Sequence, residues 1–278
     1  MRILVRLLPL DEPAALPLDN APLAGVVYRA VWLAAPDYAE FLHEEGYEAA
    51  RAAVGSEPGG AARTAVGSEP GGVARPENKR FKFFVFSRLE QRGKRIHEGR
   101  QWLRPRPVEW QIASPLDELM ELLVEGLMAQ GVISIGDRRG GARLAVSEIL
   151  EIPAPSFTDR MRFRTLSPLF VSVDDTRADG SRRKHHLRAD DSRFAEAIAA
   201  NLRGKYRALT GGEAGDEALD FKFIGEPKPQ LAQYKGTHHH CYLGTFEVGG
   251  SAELLRVGWE CGFGEANSKG FGMAESLS

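Results

Sequence analysis

The residues most suited to chemistry crowd at the end of the chain, in Gly258-Trp259-Glu260-Cys261-Gly262-Phe263-Gly264-Glu265-Ala266-Asn267-Ser268-Lys269-Gly270-Phe271-Gly272-Met273. A loop this poor in side chains can turn backbone N–H groups toward an anion. The interleaved Asn267, Ser268 and Lys269 suit a phosphate. Gly262, Gly264, Asn267, Ser268, Lys269, Gly270 and Gly272 are therefore candidate phosphate-holding residues. Before the loop, Leu254, Leu255, Val257 and Trp259 suit a short helix over Ser251–Trp259; after it, Phe271–Ala274 suits a closing strand. Helix, loop, strand reverses the order of a dinucleotide fingerprint, so that reading fails. Glycines acting only as turn-formers would account for one or two of the five, not for all.

A second tempting cluster is His238-His239-His240-Cys241. Adjacent ligands on a strand point to opposite faces, and no Cys or His pair at zinc-finger spacing accompanies them, so no metal is expected. Positive charge gathers in two stretches. One, residues 79–106, holds Lys79, Arg80, Lys82, Arg88, Arg92, Lys94, Arg95, Arg100, Arg104 and Arg106 against Glu90 and Glu98; the other spans Arg160–Arg188. Clustered charge on a nearly neutral protein is how a local phosphate-binding surface looks. From charge alone, solvated loops between strands explain it equally well.

The elements that must position these residues follow from composition and periodicity. The 278 residues, 43% apolar and 27% charged with a formal net charge of -2, describe a globular protein with room for two domains. Two cysteines build no disulfide framework, no apolar run suits a membrane span, and MRILVRLLPL is too interrupted for a secretory signal, so the expected home is the cytoplasm. Met1–Leu10 reads as a strand, Pro22–Ala34 as a helix, and Asp37–Glu45 as a second helix capped by Asp37 and stopped at Gly46. Residues 53–64 and 65–76 are a near-perfect tandem duplication (AVGSEPGGAART, AVGSEPGGVARP) with no core-forming face, a linker-like insertion without chemistry.

Beyond the insertion, RFKFFVFSR (Arg80–Arg88) predicts a strand. Phe81, Phe83, Phe84 and Phe86 could stack bases, although at least half must be core. Trp110–Ala113 is a weaker strand. Ser114 and Pro115 open a helix that runs to Gly131, followed by a strand over Val132–Ile135. The second half repeats the plan: a strand Arg162–Val173, a helix Ser192–Leu209 with Phe194, Ile198, Leu202 and Tyr206 on one face, and strands Phe221–Ile224 and Cys241–Val248. The expected fold is α+β, two tandem ferredoxin-like (RRM-like) β-α-β-β-α-β domains over residues 1–140 and 141–278.

Taken in order, these segments resemble a known family. The glycine-rich tail, Val26-Val27-Tyr28, Leu42-His43-Glu44, Lys82-Phe83-Phe84-Val85-Phe86-Ser87 and Thr165-Leu166-Ser167-Pro168 are similar to motifs of the CRISPR-associated endoribonucleases that cut repeat transcripts into guide RNAs, the sixth Cas family of the RAMP proteins. The resemblance implies metal-independent cleavage of CRISPR precursor RNA without a cofactor, leaving a 2′,3′-cyclic phosphate and a 5′-hydroxyl. It assigns His43, Tyr28 and Lys82 to catalysis and the tail to RNA binding. It allows other CRISPR effector subunits and a second copy of the chain as further partners. A catalytically inactive RNA-binding scaffold of an interference complex is the alternative.

The chemistry suits those residue types. The substrate's 2′-hydroxyl attacks its own phosphate, so the protein must take one proton, give another to the departing 5′ oxygen, and stabilise the phosphorane. Histidine handles protons near neutrality, tyrosine donates or relays one, and lysine neutralises charge. Without the resemblance, a histidine at a helix end is more often a partner of the helix dipole. The duplication between His43 and Lys82 departs from the family pattern. If it displaced the strand, Lys79 or Arg80 would have to substitute.

Overall fold

A computed structural model describes residues 1–48, 80–176, 182–214 and 219–277; the duplicated segment 53–76 lies outside them. Strand β1 (Arg2–Pro9) and the short β2 (Ala14–Pro17) lead into α1 (Ala21–Ala34) and α2 (Pro36–Glu44), then β3 (Tyr47–Glu48). Pro22 and Pro36 sit in the first turns of the two helices, where a missing N–H costs nothing. Asp37 lies inside the first turn of α2, and the cap position is Ala35. Past the duplication come β4 (Arg80–Phe81), β5 (Val85–Phe86), β6 (Arg95–His97), β7 (Arg100–Leu103), β8 (Val108–Ala113), α3 (Asp117–Gln130), β9 (Val132–Asp137) and β10 (Gly140–Glu151). Helix α3 starts at Asp117, later than expected, because the Ser114 hydroxyl is spent accepting from the Leu116 N–H.

The first sheet runs β5-β8-β1-β10-β9, all antiparallel. Its four strands β5-β8-β1-β10 have the ferredoxin-like order, and β9 is an added edge. The expected closing strand Val132–Ile135 is thus the edge hairpin partner. The strand that flanks β1 is β10, which the first sheet keeps as far as Glu151. Helices α1 and α3 cross where Gly126 meets the Ala30 backbone so closely that a methyl group would not fit. Their buried faces cover a core of Val5, Leu7, Val27, Val31, Trp110 and Leu123.

The second half comprises β11 (Arg160–Thr165), a hairpin β12 (Ser172–Thr176) and β13 (Arg182–His186), α4 (Phe194–Thr210), the long strands β14 (Asp220–Tyr234) and β15 (Thr237–Gly249), α5 (Ala252–Cys261) and β16 (Ala274–Leu277). Sheet order β14-β15-β11-β16 repeats the ferredoxin-like plan. The expected strand Arg162–Val173 ends at Thr165, and Ser172 begins a separate hairpin. Ser251 caps α5, its hydroxyl accepting from the Leu254 N–H at 3.3 Å.

The Arg80–Arg88 strand breaks between Phe81 and Val85, with Phe83 in the left-handed region at φ 50°. All four phenylalanines are buried. Phe84 and Phe86 enter the first core, and Phe81 and Phe83 the second. This overturns the base-stacking expectation for them: the aromatic run is the seam between the two halves. Arg2 is a second fastener. Its buried guanidinium donates to the Trp259 and Ala274 carbonyls at 2.6 and 2.9 Å and lies over the Trp259 ring.

Candidate active site

Helix α1 places Tyr28 on the rim of the first core, half-buried. The last turn of α2 leaves His43 exposed beside it, the two rings meeting edge to face with centroids 5.2 Å apart. Phe84 supports Tyr28 from the other side at 5.6 Å. The break after Phe81 frees Lys82 from a regular ladder, and its ammonium donates to the backbone carbonyl of His43 at 2.8 Å. The three residues thus converge from two helices and a broken strand.

The long insertion does not spoil this meeting. Tyr47 pairs with Phe81 and Glu48 with Arg80 in the antiparallel β3–β4 ladder, so the described chain on either side of the insertion comes back together. Gly46, at φ 65°, makes the turn into that ladder; a methyl group there would strike the Phe81 carbonyl and the Lys82 stem. Lys82 therefore reaches the site itself; Lys79 lies outside the described residues.

The glycine loop arrives from the far end of the chain. Ser268, on the 3-10 turn Asn267–Lys269, stands beside the Tyr28 hydroxyl, and Asn20 donates to the Gly270 carbonyl at 2.9 Å. Gly262, Gly264, Gly270 and Gly272 all have positive φ and are buried. The N–H groups of Gly270 and Gly272 are bonded to the Asn267 and Pro168 carbonyls, so they do not point outward. Asn267 also faces inward, donating to the carbonyls of Phe263 and Phe271. The expected anion-cradling backbone is therefore a close-packed one. Its outward-facing groups are half-buried Ser268 and exposed Lys269, whose ammonium lies 5.3 Å from the Tyr234 ring centroid.

Two polar residues behind the loop escaped the sequence reading. Lys205 on α4 is 2% exposed and donates to the carbonyls of Gly262 and Gly264. One turn earlier, Asn201 is buried at 6% exposure. Their signal was legible: Ile198, Asn201, Leu202 and Lys205 share one face, so two polar groups sit where an apolar stripe should continue. Tyr206, expected on that stripe, packs at the edge of the second core, and its hydroxyl donates to Glu253.

Electrostatics separates the three candidates. Burial pushes the Tyr28 phenol up to about 12, against the smaller opposing influence of Ser268, so the ring is a neutral donor at physiological pH. Partial burial, followed by the neighbouring Arg80 charge, draws Lys82 below its usual range. His43 keeps its imidazole open to a substrate.

The remaining charge is mostly matched. Arg100 pairs with Asp137 and donates to two backbone carbonyls, while Arg160, Arg162 and Lys222 surround Glu247. Among the histidines, His186 and His239 stack at 5.7 Å against Phe170, and burial lowers both. Among the described residues no group of three or more His, Cys, Asp or Glu could hold a metal ion. No helix among them is long and apolar enough to cross a membrane.

Two ferredoxin-like units fastened by a glycine-rich C-terminal loop define a RAMP-type protein. The family description "CRISPR associated protein Cas6, C-terminal" matches residues 152–276. The chain is 32% identical over 200 residues to CRISPR-associated endoribonuclease Cas6 1 of Methanocaldococcus jannaschii, covering 72% of this chain and 75% of that protein. It is 27% identical over 280 residues to CRISPR-associated endoribonuclease Cas6 of Pyrococcus furiosus, covering 99% and 89%. A solved structure described as CRISPR associated protein Cas6 superposes with a TM-score of 0.74 at 26% identity, over 100% and 99% of the two chains. The chain belongs to the Cas6 family.

Proposed function

We propose that this protein is a metal-independent endoribonuclease that cuts CRISPR repeat transcripts into guide RNAs. The observation that carries the reading is the meeting of Tyr28, His43 and Lys82, with Ser268 of the glycine loop beside the Tyr28 hydroxyl. It is joined by membership in a family whose relatives are named endoribonucleases. RNA lies along the junction of the two halves, with Ser268 and Lys269 touching its backbone.

The scissile phosphate sits over His43. Its imidazole takes the proton from the 2′-hydroxyl, which attacks the phosphorus in line. The phosphorane's added charge is met by the Lys82 ammonium and by a hydrogen bond from the neutral Tyr28 phenol. The 5′ oxygen leaves with the proton of the Tyr28 phenol, which the His43 imidazolium then restores, giving a 2′,3′-cyclic phosphate on one product and a 5′-hydroxyl on the other. The nucleophile belongs to the substrate and each proton has a side chain within the site, so the chemistry asks for no metal.

Cleavage of a labelled repeat RNA from the host's own array, in EDTA, tests this. A single cut is expected that persists in EDTA, disappears with His43→Ala, and is blocked by a 2′-deoxy substitution at the scissile nucleotide. Tight binding without cutting by the wild type would instead favour an RNA-binding scaffold. Equal cutting by His43→Ala would place the chemistry elsewhere.

A further inference from the structure

Five of the chain's seven histidines are His185, His186, His238, His239 and His240, and the fold brings those of β13 beside those of β15. The His186 ring lies 4.9 Å from Phe170, stacks on His239 at 5.7 Å and meets His240 at 6.2 Å. His239 is the wall of this cluster, since its Nδ1 is enclosed without a hydrogen-bond partner. His186 is half-buried and His240 exposed, and neither makes a side-chain hydrogen bond among the described residues. Two exposed ammonium groups complete the patch: Lys184 acts on His186 and His239, and Lys269 of the glycine loop acts on His239. The charged and titratable groups facing these rings are Lys184 and His185 from β13, His238 and His240 from β15, and Lys269 and Glu265 from the glycine loop. Glu265 is the carboxylate among them, and it already accepts from Ser172 at 2.8 Å and from Lys184 at 3.5 Å. Burial, then the neighbouring His240 and His185, hold His186 below its usual range, so it is neutral at pH 7. The patch therefore combines two ammonium groups and several protonatable rings with one carboxylate that is already engaged. It is short of an anion.

We propose that His186, His240, Lys184 and Lys269 form a phosphate-binding surface that holds the RNA backbone alongside the cut site. The proposal rests on the endoribonuclease reading for the identity of that strand. Lys269 follows Ser268, which stands beside the Tyr28 hydroxyl, so a strand leaving the active site meets Lys269 first and the histidines next. Its phosphate oxygens accept from the ammonium groups and from ring N–H groups. A phosphate set against His186 or His240 favours the imidazolium over the neutral ring, so the surface takes up protons as the RNA binds. Contacts to the backbone carry no base identity, so this surface supplies affinity and register while leaving the reading of sequence to other groups.

The test is equilibrium binding of a repeat RNA blocked by a 2′-deoxy group at the scissile nucleotide, followed from about pH 8 to about pH 5.5 at several salt concentrations. The protein carries His43→Ala throughout, so that the active-site imidazole adds no titration of its own. Affinity should rise about tenfold or more toward acid, as protons are taken up with the RNA. His186→Gln combined with His240→Gln should lose most of that gain. Lys184→Gln should weaken binding at every pH and reduce the salt slope by about 0.7, the share of one phosphate contact on a single strand. Affinity that is flat with pH would overturn the proposal, as would an undiminished gain in the double variant. If the double variant does not fold, His240→Gln alone, at an exposed position, decides: it should remove about half of the gain or more, and no change overturns the surface. Cutting of the all-ribose RNA by the wild type is scored separately. Absence of any cut would defeat the endoribonuclease reading, while the binding series would still judge the surface.

Discussion

The ammonium of Lys82 donates to the main-chain carbonyl of His43 at 2.8 Å, joining the end of α2 to the gap between β4 and β5. This bond fixes where the cation stands relative to the imidazole, since both belong to segments held by the same short ladder at Tyr47 and Phe81. Position and charge are therefore separable by mutation. Lys82→Ala should slow single-turnover cutting about a hundredfold, the scale of one lost phosphorane-stabilising contact, with KM changed far less. Lys82→Arg keeps the charge with a different reach and should fall between. A change confined to KM would place Lys82 in ground-state binding only.

The same ladder predicts the behaviour of the insertion. Replacing residues 53–76 by a short flexible linker should leave repeat cleavage within about twofold, because loop length contributes only weakly to closure entropy. Loss of cutting in a protein that still melts normally would assign the duplication a part in the reaction.

Tyr28 links the site to alkaline pH. An unfolded phenol titrates near ~10, whereas the folded one is pushed up to about 12. The stabilisation from keeping it neutral is fully present below the unfolded value and disappears as pH rises from about 10 through about 12. Burial raises Tyr38, Tyr47 and Tyr234 as well, so the whole protein should lose stability across that window. The difference between wild type and Tyr28→Phe, measured by denaturant melts at successive pH values, isolates this one phenol: the variant's fall should be less steep. At neutral pH Tyr28→Phe should cut about tenfold to a hundredfold more slowly.

Gly272 has φ 77°, and a methyl group there would stand 1.9 Å from the Phe263 carbonyl oxygen. Gly272→Ala should therefore destabilise the protein by about 3 kcal/mol or more, through both the strained backbone and the clash. Gly99, at φ 70° with open space around it, is the control, and Gly99→Ala should cost about 1 kcal/mol. Equal melting temperatures for the two variants would show that the loop can open without penalty.

Lys205→Met tests the anchor behind the loop. Removing the ammonium leaves the Gly262 and Gly264 carbonyls without their buried donor, a loss of about 2–3 kcal/mol in a thermal or denaturant melt. Because Ser268 hangs from the same loop, cutting should fall along with stability.

By itself the sequence determined the five helices, the α+β class and the identity of the residues that meet. Apolar spacing in α1, α4 and α5 is a local signal, and local signals survive in one dimension. It did not determine which strand flanks β1, because β9 and β10 differ in partners rather than in pattern. It misread the four phenylalanines after Arg80, since alternation reveals two faces but not that each face meets a different core. Above all it took the glycines for anion-binding backbone. Only the tertiary structure decided that the Gly270 and Gly272 N–H groups are used internally and that absent side chains let the loop press against Phe86, Asn20 and Phe170. The physical reason is that close approach is a property of two segments distant in sequence. A glycine records that something comes near, and the folded chain alone says what.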